Sequence, residues 1–320
     1  MIRTRRAALA QSVQRFSEKI MLKQKGAMDR VSRGWLIRFT ATLALLYAGC
    51  WAAPRLLGDI PQFPPATTDE IQAEVLNRYF RLPQLEIVIV GSSLAYHLKD
   101  WYFEHGNVRN AALPGGSPLT ALAIIAAAPS TRPRAIAVET NVLDRALDNN
   151  VFEKFKDAKR PQRPLPPMRT LAALYQGARD DERPYSRTRI QSVIASAPAP
   201  DRSAVSVAGI WDDWNRPLNH DALLANAERL ETLAERLEAQ DVRVFFFEMP
   251  YPSRLRDSLY TKAMNEVFAE VIGPDDKRRL NLRYPLEEMR SVDGTHLDTR
   301  SSVIFAAALD AAITEKLGER

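Results

Sequence analysis

From residue 69 onward the chain alternates short apolar runs with longer stretches of helical spacing. Ile87-Val-Ile-Val90 and Val244-Phe-Phe-Phe247 are apolar at every position, which predicts strands buried on both faces, as in a parallel sheet. Strands are expected at residues 86–90, 108–111, 135–139 and 242–247. Helices are expected at 69–80, 93–103, 118–128, 218–239, 255–271 and 299–317. This alternation predicts an α/β domain with helices on both sides of the sheet. Residues 144–215 break the pattern. They are rich in Pro and Arg, with a helix expected near 169–178, and read as an insertion over one edge of the sheet. No internal repeat is present.

Before the domain, residues 39–53 carry no charge; Trp35 and Arg38 mark one end of the stretch, Trp51 and Arg55 the other. A bilayer core takes roughly 20 residues of helix, and aromatic and basic flanks suit its two interfaces. Residues 34–56 are therefore expected to form a transmembrane helix; a buried helix of a soluble protein is the alternative. In residues 1–33, Leu9, Val13, Phe16 and Ile20 share one helical face, which reads either as a basic amphipathic helix on a membrane surface or as a disordered tail. Residues 57–85 supply a Pro-rich linker and a lead-in helix, and the domain runs over 86–320.

Charge sharpens this division. The 320 residues sum to +5 with a pI near 9.3, yet residues 1–33 alone carry nine Lys/Arg against Glu18 and Asp29, leaving the remainder at −2. Basicity belongs to the tail, so nucleic acid is not expected as a partner. The positive-inside rule puts the tail in the cytoplasm and the domain across the membrane, in the periplasm of a bacterium. Cys50 is the single cysteine, which excludes an intrachain disulfide and a cysteine-cluster metal site. Leu46–Cys50 vaguely resembles a lipoprotein processing site, so the helix is either retained or processed near Cys50. With four histidines and no phosphate-loop or His-Glu-x-x-His signature, no metal and no cofactor are expected.

In an open parallel sheet, ligands gather beyond the carboxyl ends of the strands. Four features fall there: Gly91-Ser-Ser93, the stretch from Asn110 to Ser117 with Gly115-Gly116, Glu139-Thr-Asn141, and Asp293-Gly-Thr-His296. Each has a plainer explanation as a helix cap or a turn. Together they meet the requirements of acyl transfer. A serine hydroxyl needs a base, which His296 supplies. The imidazole needs a carboxylate, which Asp293 can offer from the same loop. The developing oxyanion needs fixed donors, available from the Ser93 N–H, the Gly115 N–H and the Asn141 amide. His97 is expected to point away from this cleft.

These residues, in this order, resemble the SGNH (GDSL-type) hydrolase superfamily over roughly residues 86–317. By that resemblance Ser93 is the nucleophile, with Ser92 shaping the turn. Gly115 and Asn141 join Ser93 as oxyanion positions, and Asp293 and His296 complete the catalytic set. The resemblance implies a three-layer, flavodoxin-like parallel sheet. The Gly-Ser-Ser form is similar to membrane-anchored branches that acylate or deacylate cell-envelope polymers. It implies a serine esterase or O-acetyltransferase acting on a polysaccharide or acyl ester, with a membrane-bound acyl donor or polysaccharide synthase complex as a possible partner. Glu139 stands where the pattern usually has glycine, and Val142 where an Asp often follows the Asn. Two other functions stay open: a lipid or thioester hydrolase at the membrane surface, and a catalytically silent assembly subunit, which Glu139 favours. Tyr251, Arg254, Trp211 and Trp214 are candidates to line the substrate path, with local packing as the alternative.

Overall fold

The computed structural model describes residues 15, 17–19, 21, 33–49, 51–52, 67–81, 85–104, 107–128, 132–157, 186–200 and 207–318. The linker over 54–66 and the helix expected near 169–178 lie outside them, as does most of the basic tail. The chain divides into two compact units, Met1–Ile60 with Leu165–Leu171, and Pro61–Pro164 with Ala172–Arg320. In the first, residues 33–49 are helical and solvent-exposed, with Trp35 stacked on Phe39 at 5.3 Å. Among the described residues no helix is long and apolar enough to cross a membrane.

The second unit is α/β. Its strands are β1 (Ile87–Val90), β2 (Val108–Asn110), β3 (Ala135–Glu139) and β4 (Arg243–Phe247). All pair in parallel, in the order β2-β1-β3-β4. Residues 278–280 extend the sheet beyond β4, where Phe246 N–H donates to Arg278 O and Leu280 N–H to Phe246 O, both at 2.8 Å. The helices are α1 (Thr68–Arg81), α2 (Ser93–Tyr96), α3 (Pro118–Ala127), α4 (Asn149–Phe155), α5 (Arg187–Ala195), α6 (Trp211–Trp214), α7 (His220–Glu238), α8 (Ser253–Arg256), α9 (Leu259–Val271) and α10 (Thr299–Gly318).

Helices cover both faces. Val88, Val90, Ile136, Val138, Val244 and Phe246 pack with the apolar sides of α1, α3, α7 and α9. Ile87, Ile89, Ala135, Ala137, Phe245 and Phe247 pack with α2 and α10. Each strand alternates its side chains between two dry layers, which is why the runs read as continuously apolar. The chain leaves β1 toward β2, then returns past β1 to β3. That reversal makes the carboxyl ends of β1 and β3 the crevice of an open parallel sheet, and residues 91–93 and 139–141 follow those ends directly.

Two expected helices are interrupted. The stretch 93–103 stops after Tyr96 and resumes as a 3-10 turn at Asp100–Tyr102. The stretch 255–271 divides at Ser258, which caps α9 by accepting Thr261 N–H at 3.2 Å while its hydroxyl donates to Leu255 O at 2.7 Å. The start of the insertion is better ordered than its composition suggests. Asp148 N–H donates to Thr120 Oγ1 on α3, and Phe155 of α4 is buried in the core.

Candidate active site

The first site segment is built by capping. Ser92 adopts an extended conformation, and its Oγ accepts Leu94 N–H at 3.2 Å, which starts α2 at Ser93. Ser93 is half-buried. Among the described residues its N–H and Oγ take no hydrogen-bond partner. Sheet pairing continues past the strands, with Leu113 N–H donating to Gly91 O at 2.9 Å. This carries the loop after β2 alongside the Ser93 turn. Within that loop Gly115 has φ +69, a left-handed conformation that favours glycine, and Gln72 of α1 donates to Pro114 O at 2.9 Å.

Asn110 fastens this loop to α2. Its amide donates to Ala95 O at 2.6 Å and Leu98 O at 2.7 Å, and its Oδ1 accepts Ala112 N–H at 2.8 Å. Asp100 accepts Asn110 N–H at 2.7 Å and pairs with Arg109 at 2.6 Å and Arg78 at 3.0 Å.

At the end of β3, Asn141 bonds with Met249 in both directions: Nδ2 donates to Met249 O at 3.0 Å and Oδ1 accepts Met249 N–H at 2.6 Å. An amide carries two N–H groups, and the bond to Met249 takes one of them. The Tyr251 hydroxyl nearby is buried without a hydrogen bond. Burial, then Tyr260 and Glu139, raise the phenol well above its ordinary range, against the Asn141 side chain, which lowers it.

The loop before α10 closes around its own carboxylate. Asp293 Oδ1 accepts His296 N–H at 2.8 Å, Thr295 N–H at 3.0 Å and Thr295 Oγ1–H at 3.1 Å, and Oδ2 lies 2.6 Å from His296 Nδ1. Burial alone would raise Asp293, but these bonds from His296 and Thr295 prevail and hold its carboxyl at about 2. An ionised Asp293 on Nδ1 assigns that nitrogen the proton and makes Nε2 the acceptor. No group among the described residues bonds Nε2.

His97 does not point away from His296, contrary to the expectation. Its ring lies 5.1 Å from that of His296, tilted by 47°, which brings the loop before α10 to the His97 end of α2. The i,i+4 spacing of Ser93 and His97 is the sequence signal for this, since such residues share a helix face. Burial, then the charges of His296 and Lys99, lower His97 to about 4 and keep it neutral. Ser93 and His296 are not hydrogen-bonded to each other here; bonds of this kind are commonly long without substrate.

The peripheral aromatics mostly engage one another. Trp214 packs edge-on to Tyr251 at 4.9 Å and tilted against Tyr260 at 4.7 Å, and Arg254 covers a face of Trp211 at 4.5 Å. Tyr251 also lines a solvent-open cleft with Arg256, Glu287, Arg290, Ser291 and Leu297. Ser93 and His296 are not part of its lining. Among the described residues no group of three His, Cys, Asp or Glu could hold a metal ion.

Fold and site together define an α/β protein with a serine-bearing turn at the carboxyl end of β1 and an acid–imidazole pair in the loop before α10. No family model matches the chain, and no curated protein matches it either.

Proposed function

We propose that this chain is a membrane-anchored serine acyl-transfer enzyme of the SGNH (GDSL-type) kind, an O-acetyltransferase or acetylesterase acting on a cell-envelope or secreted polysaccharide. The observation that carries the reading is the Asp293–His296 pair, bonded at 2.6 Å, with Nε2 unbonded and the ring packed on His97, one turn from Ser93. In the first step Ser93 Oγ attacks the acyl carbonyl and passes its proton to His296 Nε2. Collapse of the tetrahedral intermediate breaks the bond to the leaving alcohol, which takes that proton. Acyl-Ser93 is then attacked by water or a sugar hydroxyl, again deprotonated by His296, and the serine is released. Asp293 keeps the productive tautomer, and the Ser93 N–H, Gly115 N–H and Asn141 amide are the candidate oxyanion donors.

The uncharged stretch 39–53, with Trp35 and Trp51 at its ends, supports a single anchor. It would leave the basic tail in the cytoplasm and the α/β domain in the periplasm, beside a membrane-bound acyl donor or synthase complex. Glu139 is buried and bonded to Ser92, which leaves the catalytically silent assembly role as the second reading.

The test is turnover of p-nitrophenyl acetate, with and without an oligosaccharide acceptor, in wild type, Ser93→Ala and His296→Ala. Loss of roughly 10³-fold or more is expected in both variants. Transfer and hydrolysis differ in whether acetyl appears on the acceptor or in water. A folded wild type that a fluorophosphonate never labels at Ser93 would exclude the enzyme reading.

A further inference from the structure

Glu139 departs from the pattern that the other site residues resemble, and its surroundings account for it. The side chain is fully buried on the last position of β3. Oε2 accepts Ser92 N–H at 2.7 Å and Ala95 N–H at 3.3 Å, and the Ser92 hydroxyl lies 2.9 Å from Oε1 and 3.0 Å from Oε2. Ser92 Oγ in turn accepts Leu94 N–H. Donors on both sides of Ser93 are thereby occupied, while Ser93 itself is bonded through neither N–H nor Oγ among the described residues. Space is equally committed. A Cβ on Gly91 would lie 2.6 Å from Glu139 Oε2 and 2.6 Å from Ala95 Cβ, so residue 91 is glycine because the carboxylate fills the turn.

The choice of group follows from its chemistry. Three donors converge, and an ionised carboxylate is an acceptor with about four lone-pair sites and no competing donor. Burying such a group without a bonded cation is unfavourable, so packing alone does not account for an acid here. A hydrocarbon of the same length would fill the volume, but would orphan Ser92 N–H and Ala95 N–H.

We propose that Glu139 is a positioning residue: a buried carboxylate clamp that fixes residues 91–95 from behind and leaves the Ser93 hydroxyl and N–H free for substrate. The inference rests on the acyl-transfer reading for the Ser93 half of the statement. The clamp itself is measurable without it.

The test compares wild type, Glu139→Leu and Glu139→Gln, with fluorophosphonate labelling used to count competent Ser93 sites and rates expressed per site. Glu139→Leu should fall about 10²-fold in labelling rate and kcat with KM unchanged, the order expected for an ångström-scale misplacement. In Glu139→Gln the carbonyl still accepts the two N–H groups while the amide donates to Ser92 Oγ, so the rate should recover to within about 10-fold of wild type. Wild-type rates per site in Glu139→Leu would overturn the inference while leaving Ser93 as nucleophile. Absence of labelling in wild type would instead remove the acyl-transfer reading, and amide hydrogen exchange then decides the clamp alone. Protection at Ser92 and Ala95 that is lost in Glu139→Leu supports it, and equal exchange in the two proteins refutes it. If Glu139→Leu does not fold, Ser92→Ala removes one arm of the clamp; a rate about 10-fold lower supports the inference, and an unchanged rate overturns it.

Discussion

His97 packs against His296 and Glu139 binds the Ser93 turn through Ser92 and Ala95, and both are held away from their ordinary titration range. Burial raises Glu139 from 4.5 to about 6, against the hydrogen bonds from Ser92 and Ala95 and the charge of Arg145. The Tyr251 and Tyr260 phenols that also face it stay neutral, being raised themselves. Between pH 4.5 and 6 the folded chain binds the extra proton, so the stability contributed by Glu139 falls as pH rises, by about 2 kcal/mol in all. His97 works the other way. Lowered from 6.5 to about 4, it leaves the unfolded chain with the extra proton across that interval, and its contribution grows with pH. Urea denaturation at pH 4.5, 5.5 and 7 should show Glu139→Gln gaining on wild type as pH rises and His97→Phe losing ground. Constant offsets for both would contradict the placement of these groups. Asp293 was legible as a partner for His296 because three residues of loop suffice to bring them together. The role of Glu139 was not, since it depends on which turn comes to face its strand, and the i,i+4 spacing put His97 on the Ser93 face without saying which ring would meet it.

At the scale of elements, apolar spacing foretold the strands to within a residue or two but ran together what the structure separates. Leu94, Ala95, Leu98 and Tyr102 are all buried, at intervals that suit a continuous helix. The break comes from β2: Asn110 captures the carbonyls of Ala95 and Leu98, and Asp100 turns back to accept Asn110 N–H. Nothing local to residues 93–103 encodes a partner that follows later in the chain. Replacing Asn110 with Ala would orphan the buried Leu98 carbonyl and the Ala112 N–H, while the Ala95 carbonyl keeps the Leu98 N–H. A loss of about 2–3 kcal/mol in chemical denaturation is expected, with lower activity because α2 begins at Ser93. The Ser258 interruption was readable in principle, since a serine before a helical run is a capping signal.

For the whole molecule, the two apolar layers around the sheet are drawn from residues 75–313, so the α/β unit carries its own core. A chain lacking residues 1–60 should therefore unfold cooperatively at nearly the wild-type temperature, followed by circular dichroism. The exposed apolar residues Trp35, Leu36, Ile37, Phe39, Leu43 and Leu45, next to the basic tail, should take the full chain to anionic vesicles in a flotation assay, and the shortened chain should stay behind. Retention of the shortened chain on vesicles would move the membrane contact elsewhere. Periodicity and strand-end chemistry were enough to announce a parallel α/β sheet and to nominate Ser93, Asp293 and His296, because burial on two faces and a three-residue loop are local constraints on composition. The strand order, the approach of His97 to His296 and the seating of Glu139 beneath Ser92 came only with folding. Each joins residues whose separation along the chain carries no periodic signal, and which side chain meets which is decided by how helices and strands pack.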